Sequence, residues 1–260
     1  MTADQRGFIP VIGDRPFQGA FLPVLAQVRD RLSPDSVRSI HSVYVYGSIA
    51  AGRAVPGCSD LDLSLIMRGP LSDRETAVLD AIRLEIDLTH PVISKVDFDM
   101  GLLEEVTSED AGMAWRYWLR HHCRCLVGED LADGIALFRP SRTLALAVNG
   151  DFERVLGDYR NALLVAQSDA IANRLVREAS RKLIRSTNVL RSEDDPCWPG
   201  TLAEHAQAFR CRYPAQGEQI LYFLEQAITP DIDPVGFSRR LGIFVSWMAG
   251  IVRNQATSRA

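Results

Sequence analysis

At 260 residues, 47% of them hydrophobic and 24% charged, the chain is long enough for one large domain or two small ones without disulfides or metals as staples. Its formal charge of -4 shows no basic excess, which disfavours an acceptor gripped along a polynucleotide backbone. No charged n-region with an apolar core opens it, and the longest apolar run, Leu241 to Val252, is too short to span a bilayer, so a cytoplasmic protein with no membrane partner is expected.

Residues 1–17 scatter Gly7, Pro10, Gly13 and Pro16 among apolar residues and read as an irregular arm. From Gln18 to Leu32, apolar residues at Phe21, Leu22, Leu25, Val28 and Leu32 predict a helix that Ser33-Pro34-Asp35 ends. The β-formers Val43 to Tyr46 then stop at the Gly47-Ser48 turn. A second strand follows at Ser59 to Ile66, with Leu61, Leu63 and Leu65 on one face and Asp60, Asp62 and Ser64 on the other. Two carboxylates sharing a strand face repel each other, and a bound divalent cation is the simplest reason to place them so. Magnesium suits them, because it takes oxygen ligands from one or two carboxylates together with substrate phosphates. The Gly-Ser turn is a bend whose amides and hydroxyl can face those phosphates.

Arg68-Gly69-Pro70 turns the chain, and Ser72 with Glu75 forms a capping box for a helix to about Thr89 whose buried stripe is read as Val78, Ile82 and Ile86. His90-Pro91 precedes a strand over Val92 to Met100, with Val96 and Phe98 on one face and Asp97 and Asp99 on the other. Either aspartate can complete a carboxylate set; Asp97, nearer the strand interior, is preferred. Beyond Met100 the pattern is helical: Ser108 to His122, Ser141 to Gln167 with a break at Asn149-Gly150, Ala170 to Leu190, Leu202 to Arg212, Ala215 to Ala227 and Pro234 to Asn254. Trp115, Trp118 and His122 form a helical stripe that reads as packing rather than base stacking. The five cysteines read as reduced thiols, and Cys123-x-Cys125 lacks zinc-knuckle spacing.

Gly47-Ser48, eleven residues, Asp60-x-Asp62 and the later Val96-Asp97-Phe98 resemble the polymerase-beta-type nucleotidyltransferase superfamily over roughly residues 40–100. The size and helix-rich second half resemble the aminoglycoside adenylyltransferases. The resemblance implies an α+β protein, with an N-terminal mixed-sheet nucleotidyltransferase domain over 1–139, arm included, and a C-terminal helical bundle over 140–260. It implies transfer of a nucleoside monophosphate, AMP from ATP, to a hydroxyl of a small-molecule acceptor. Asp60, Asp62 and Asp97 would hold two magnesium ions, with Asp97 also available as general base. Gly47 and Ser48 would orient the β- and γ-phosphates.

Arg53 and Ser59, in the loop before the paired aspartates, are candidates for triphosphate contacts or for ordinary loop solvation. Arg177, Arg181, Lys182 and Arg185 share one helix, and Arg181 or Lys182 would hold the triphosphate unless that face is merely solvated. An aminoglycoside-like antibiotic is the leading acceptor, which would make the protein a resistance enzyme. A protein hydroxyl, on a toxin or regulatory partner, is the alternative acceptor, and a nucleotide-binding protein without turnover is the alternative class.

Overall fold

The computed structural model describes residues 3–108, 112–230 and 233–257. Internal contacts divide the chain into two compact units. One spans Pro10–Phe138; the other runs from Arg139 onward and is joined by the start of the chain through Ile9.

In the first unit the order is α1 (Leu22–Arg31), β1 (Ile40–Tyr46), α2 (Gly47–Ala50), β2 (Leu61–Met67), α3 (Asp73–Thr89), β3 (Val96–Leu102), α4 (Leu103–Thr107), α5 (Met113–His122) and β4 (Arg124–Gly128). The strands form one mixed sheet in the order β3-β2-β1-β4. β1 runs antiparallel to both β2 and β4, and β2 runs parallel to β3 with α3 as the crossover. Strand alternation sends Val43, Val45, Leu61, Leu63 and Leu65 into a core with Leu25 and Val28 of α1 and Leu79, Ile82 and Ile86 of α3. The other face of the sheet puts Tyr44 and Ile66 with Val106 of α4 and Leu119 of α5. The fully buried Ser64 accepts a 3.0 Å bond there from the Trp118 indole.

Several boundaries differ from the sequence reading. The capping box forms as expected, with Ser72 Oγ accepting from Glu75 N at 3.3 Å and Glu75 Oε2 from Ser72 N at 2.9 Å. The buried stripe of α3, however, begins at Leu79, while Val78 is 43% exposed. A one-residue offset turns the helix by about 100°, and both residues are apolar, so periodicity alone does not choose between them. β3 starts at Val96 rather than Val92, because the chain first turns at Pro91, with Ile93 N donating to His90 O at 3.2 Å. β4 lies where no strand was read; its five residues carry no alternation strong enough to announce it.

The second unit contains α6 (Arg142–Asn149), α7 (Phe152–Leu164), α8 (Asp169–Ser186), α9 (Leu202–Arg212), α10 (Gly217–Gln226) and α11 (Pro234–Thr257). Its core joins Phe152 and Leu156, Val176 and Leu183, Phe209, Phe223, and Phe237, Leu241, Phe244 and Met248, contributed by α7 through α11 in turn. α11 is longer than the apolar run read from the sequence. By length and composition it is long and apolar enough to cross a membrane, yet Phe237, Leu241, Phe244 and Met248 lie buried at helical spacing in this core. The beginning of the arm also departs from the expected division: Ala3 N donates to Pro196 O at 3.3 Å and the Arg139 guanidinium lies 4.2 Å from the centre of the Phe8 ring. These contacts group residues 3–9 with the helices, whereas Ile12 N bonds His121 O at 2.9 Å in the sheet unit.

Candidate active site

The turn after β1 is built around Gly47, which adopts a φ of +71° that L side chains rarely take. A Cβ at this position would also run into Asp62 Oδ2. Glycine therefore serves twice: it permits the bend, and it lets the Asp62 carboxylate lie against the backbone. The loop that follows is tied down locally, with Arg53 N donating to Ser48 O at 3.0 Å and Val55 N to Ser59 Oγ at 2.9 Å. It is then stitched to the approach of β3, through Ser94 N to Ser59 O at 3.0 Å and Leu61 N to Lys95 O at 2.8 Å. That stitching sets Asp60 beside Ser94 and Lys95.

Pairing of the strands assembles the acidic group. Asp62 stands directly opposite Tyr46 on β1 and directly opposite Asp97 on β3. Asp60 precedes the strand by one residue on the same face. One carboxylate oxygen from each of Asp60, Asp62 and Asp97 lies within 4.8 Å of the others, and all three residues are partly buried. Burial pushes the Asp62 carboxyl up to about 6; the negative charges of Asp60 and Asp97 add to this and the Lys95 ammonium opposes it. Burial, with Asp62, Asp99 and Asp97 nearby, also pushes the Tyr46 phenol up. Ser94 Oγ donates to Asp60 Oδ1, Lys95 Nζ donates to Asp97 Oδ2, and the same ammonium lies 3.6 Å from Asp60 Oδ2.

Asp99 is exposed, pairs in register with Ser64 and stands outside the trio. Gly47 and Ser48 are partly buried at the bend, and Arg53 is exposed in the loop. The Ser59 hydroxyl accepts the Val55 amide within its own loop. In the helical unit, Arg181 is exposed, and Lys182 Nζ bonds Asp151 Oδ1 at 2.8 Å and Asn149 Oδ1 at 3.3 Å. The aromatic stripe of α5 is packed: Trp118 meets Tyr46 edge-on with centroids 4.9 Å apart, and His122 stacks on Trp118 at 5.0 Å. All five cysteines are free thiols, and neither Cys123 nor Cys125 belongs to the acidic group.

Sequence reasoning overlooked Tyr46, Ser94 and Lys95. For Lys95 the signal was present, since the alternation that separates Asp97 and Asp99 from Val96 and Phe98 puts Lys95 on the aspartate side. The donor set suits a hard divalent cation, being carboxylate oxygens alone. The charge balance points the same way, because three acids share one ammonium and so leave net negative charge at the cluster.

No family model matches the sequence, and neither does any curated protein. Among solved structures, the fold is similar to that of the spectinomycin adenyltransferase AAD(9) from Enterococcus faecialis, crystallised with ATP and spectinomycin. The TM-score is 0.56 at 12% identity, over 89% of this chain and 98% of that one. Identity so low shows a likeness of fold alone: among the described residues the protein is α+β with a mixed four-stranded sheet, an architecture similar to that of this adenyltransferase.

Proposed function

We propose that the protein is a metal-dependent nucleotidyltransferase that moves AMP from ATP to a hydroxyl of a small-molecule acceptor and releases pyrophosphate. The observation that carries this reading is the approach of three carboxylates, Asp60, Asp62 and Asp97, within 4.8 Å of one another on two neighbouring strands. The Gly47 bend, against which Asp62 rests, supports it further.

Asp60, Asp62 and Asp97 would hold two magnesium ions, which when bound supply charge neutralisation on the triphosphate and activation of the attacking oxygen. The remaining work falls to the chain. Backbone amides at the Gly47 bend and the Ser48 hydroxyl orient the β- and γ-phosphates, with Arg53 and Ser59 as additional contacts from the loop. Asp97, whose side chain is more exposed than that of Asp60, takes the proton of the acceptor hydroxyl. The acceptor oxygen then forms a bond to the α-phosphorus as the bond to the bridging oxygen breaks, and pyrophosphate departs in line.

An acidic site suits a cationic acceptor, so an aminoglycoside-like antibiotic is the first acceptor to try. The similar solved structure is named for spectinomycin, a small molecule, which favours the same class. The test incubates the protein with magnesium and each labelled nucleoside triphosphate over a panel of acceptors, reading pyrophosphate. Unchanged turnover in the double variant Asp60→Ala, Asp62→Ala would remove the trio from the reaction.

A further inference from the structure

Lys95 is the one charged group among the described residues that enters the acidic trio, and the proposed chemistry gives it no task. Its ammonium donates to Asp97 and lies 3.6 Å from Asp60, so it partly neutralises two of the three acids on which a divalent cation would depend. Its backbone is held in place, with its carbonyl accepting from Leu61 N at 2.8 Å, while its side chain is 53% exposed. A fixed main chain with a long, half-solvated side chain is an arm that can swing without disturbing the strand. An ammonium and a divalent cation at the same acids repel each other, so the presence of one weakens the binding of the other.

We propose that Lys95 is a resident counter-cation: it neutralises Asp60 and Asp97 in the nucleotide-free protein, yields them to the divalent cation, and transfers its charge to the phosphates that arrive with it. This rests on the trio being the metal site. Metal alone then binds weakly, since it must displace the ammonium with no new partner for it. Metal and triphosphate together bind well, since the displaced ammonium finds a phosphate oxygen.

The experiment titrates full-length protein with Mn²⁺ and follows free Mn²⁺ by electron paramagnetic resonance, without nucleotide and then with a non-hydrolysable ATP analogue. Without nucleotide, Lys95→Met is expected to bind Mn²⁺ at least about tenfold more tightly than the wild type, whereas Lys95→Arg, which keeps the charge, stays near it. With Mn²⁺ present, Lys95→Met is expected to bind the analogue more weakly than the wild type. Lys95→Gln is a second neutral variant in case the methionine disturbs folding, which thermal melting would reveal. Affinity of both neutral variants for Mn²⁺ within twofold of the wild type, or below it, overturns the proposal. The site reading fails separately: if Asp62→Ala leaves Mn²⁺ binding intact, the metal does not occupy the trio, and the role given to Lys95 falls with it.

Discussion

The two units treat buried charge in opposite ways. In the helical unit, burial removes charge or pairs it: the His205 ring is pushed down to about 3, chiefly by burial and secondarily by the neighbouring Arg185 charge, so it is neutral near neutrality. Arg212 pairs with Asp195, and Arg191, 1% exposed, lies over the Trp198 ring at 5.0 Å and donates from Nη2 to Asp195 O, though its Nε and Nη1 are buried without a hydrogen-bond partner. In the sheet unit, Asp60, Asp62 and Asp97 crowd together with Lys95 as their cation, and Asp62 sits well above the ordinary carboxylate range. A core arranged for stability resembles the first case. Acids held together against repulsion resemble a site waiting for a ligand.

The largest effect is expected from emptying that cluster. Removing both Asp60 and Asp62 side chains as alanines should lower the rate of pyrophosphate release by about a thousandfold or more, while the melting temperature holds or rises. A stable variant with full activity would mean that the acids are crowded for some other reason.

Titration should separate the units next. Asp62 binds its proton more tightly in the folded chain than in the unfolded one. The metal-free protein therefore loses stability as pH rises from about 4 to about 6, by at most about 3 kcal/mol, and the loss persists above that. His205 works the other way: the unfolded chain binds its proton more tightly, so stability falls as pH drops below about 6.5 toward 3. Urea unfolding across this range should show Asp62→Asn stabilised at pH 7.5, and His205→Gln with a weaker loss in acid. Equal slopes in both variants and the wild type would erase the contrast.

Smaller effects test the supports. Gly47→Ala combines a strained φ with a collision at Asp62 and should cost about 1–3 kcal/mol by denaturation, lowering turnover as well. Trp118→Phe removes the donor to the fully buried Ser64 and should cost about 1 kcal/mol, with the edge contact to Tyr46 largely kept. A larger loss would mean that α5 holds the carboxylate face more firmly than one indole bond implies.

Much of the sheet unit was legible because its signals are local. Alternation on β2 forces Asp60, Asp62 and Ser64 to one side, and the Ser72–Glu75 box announces α3 at the residue where it starts. Legibility failed where two local readings were equally good, as at Val78 and Leu79, or where a segment was too short to carry a period, as at β4.

By itself, then, the sequence determined the bend at Gly47, the shared face of Asp60 and Asp62, and the order β1, β2, α3, β3 followed by a helical half, since turn chemistry and periodicity act between near neighbours. Only the tertiary structure decided that Asp97 rather than Asp99 faces Asp62, that the Lys95 ammonium enters the trio, and that residues 3–9 leave the sheet for the helices. Strand register and side-chain company depend on pairings between distant segments. No local pattern encodes those, because a shift of two residues would keep the same faces on each strand while setting Asp99 rather than Asp97 opposite Asp62.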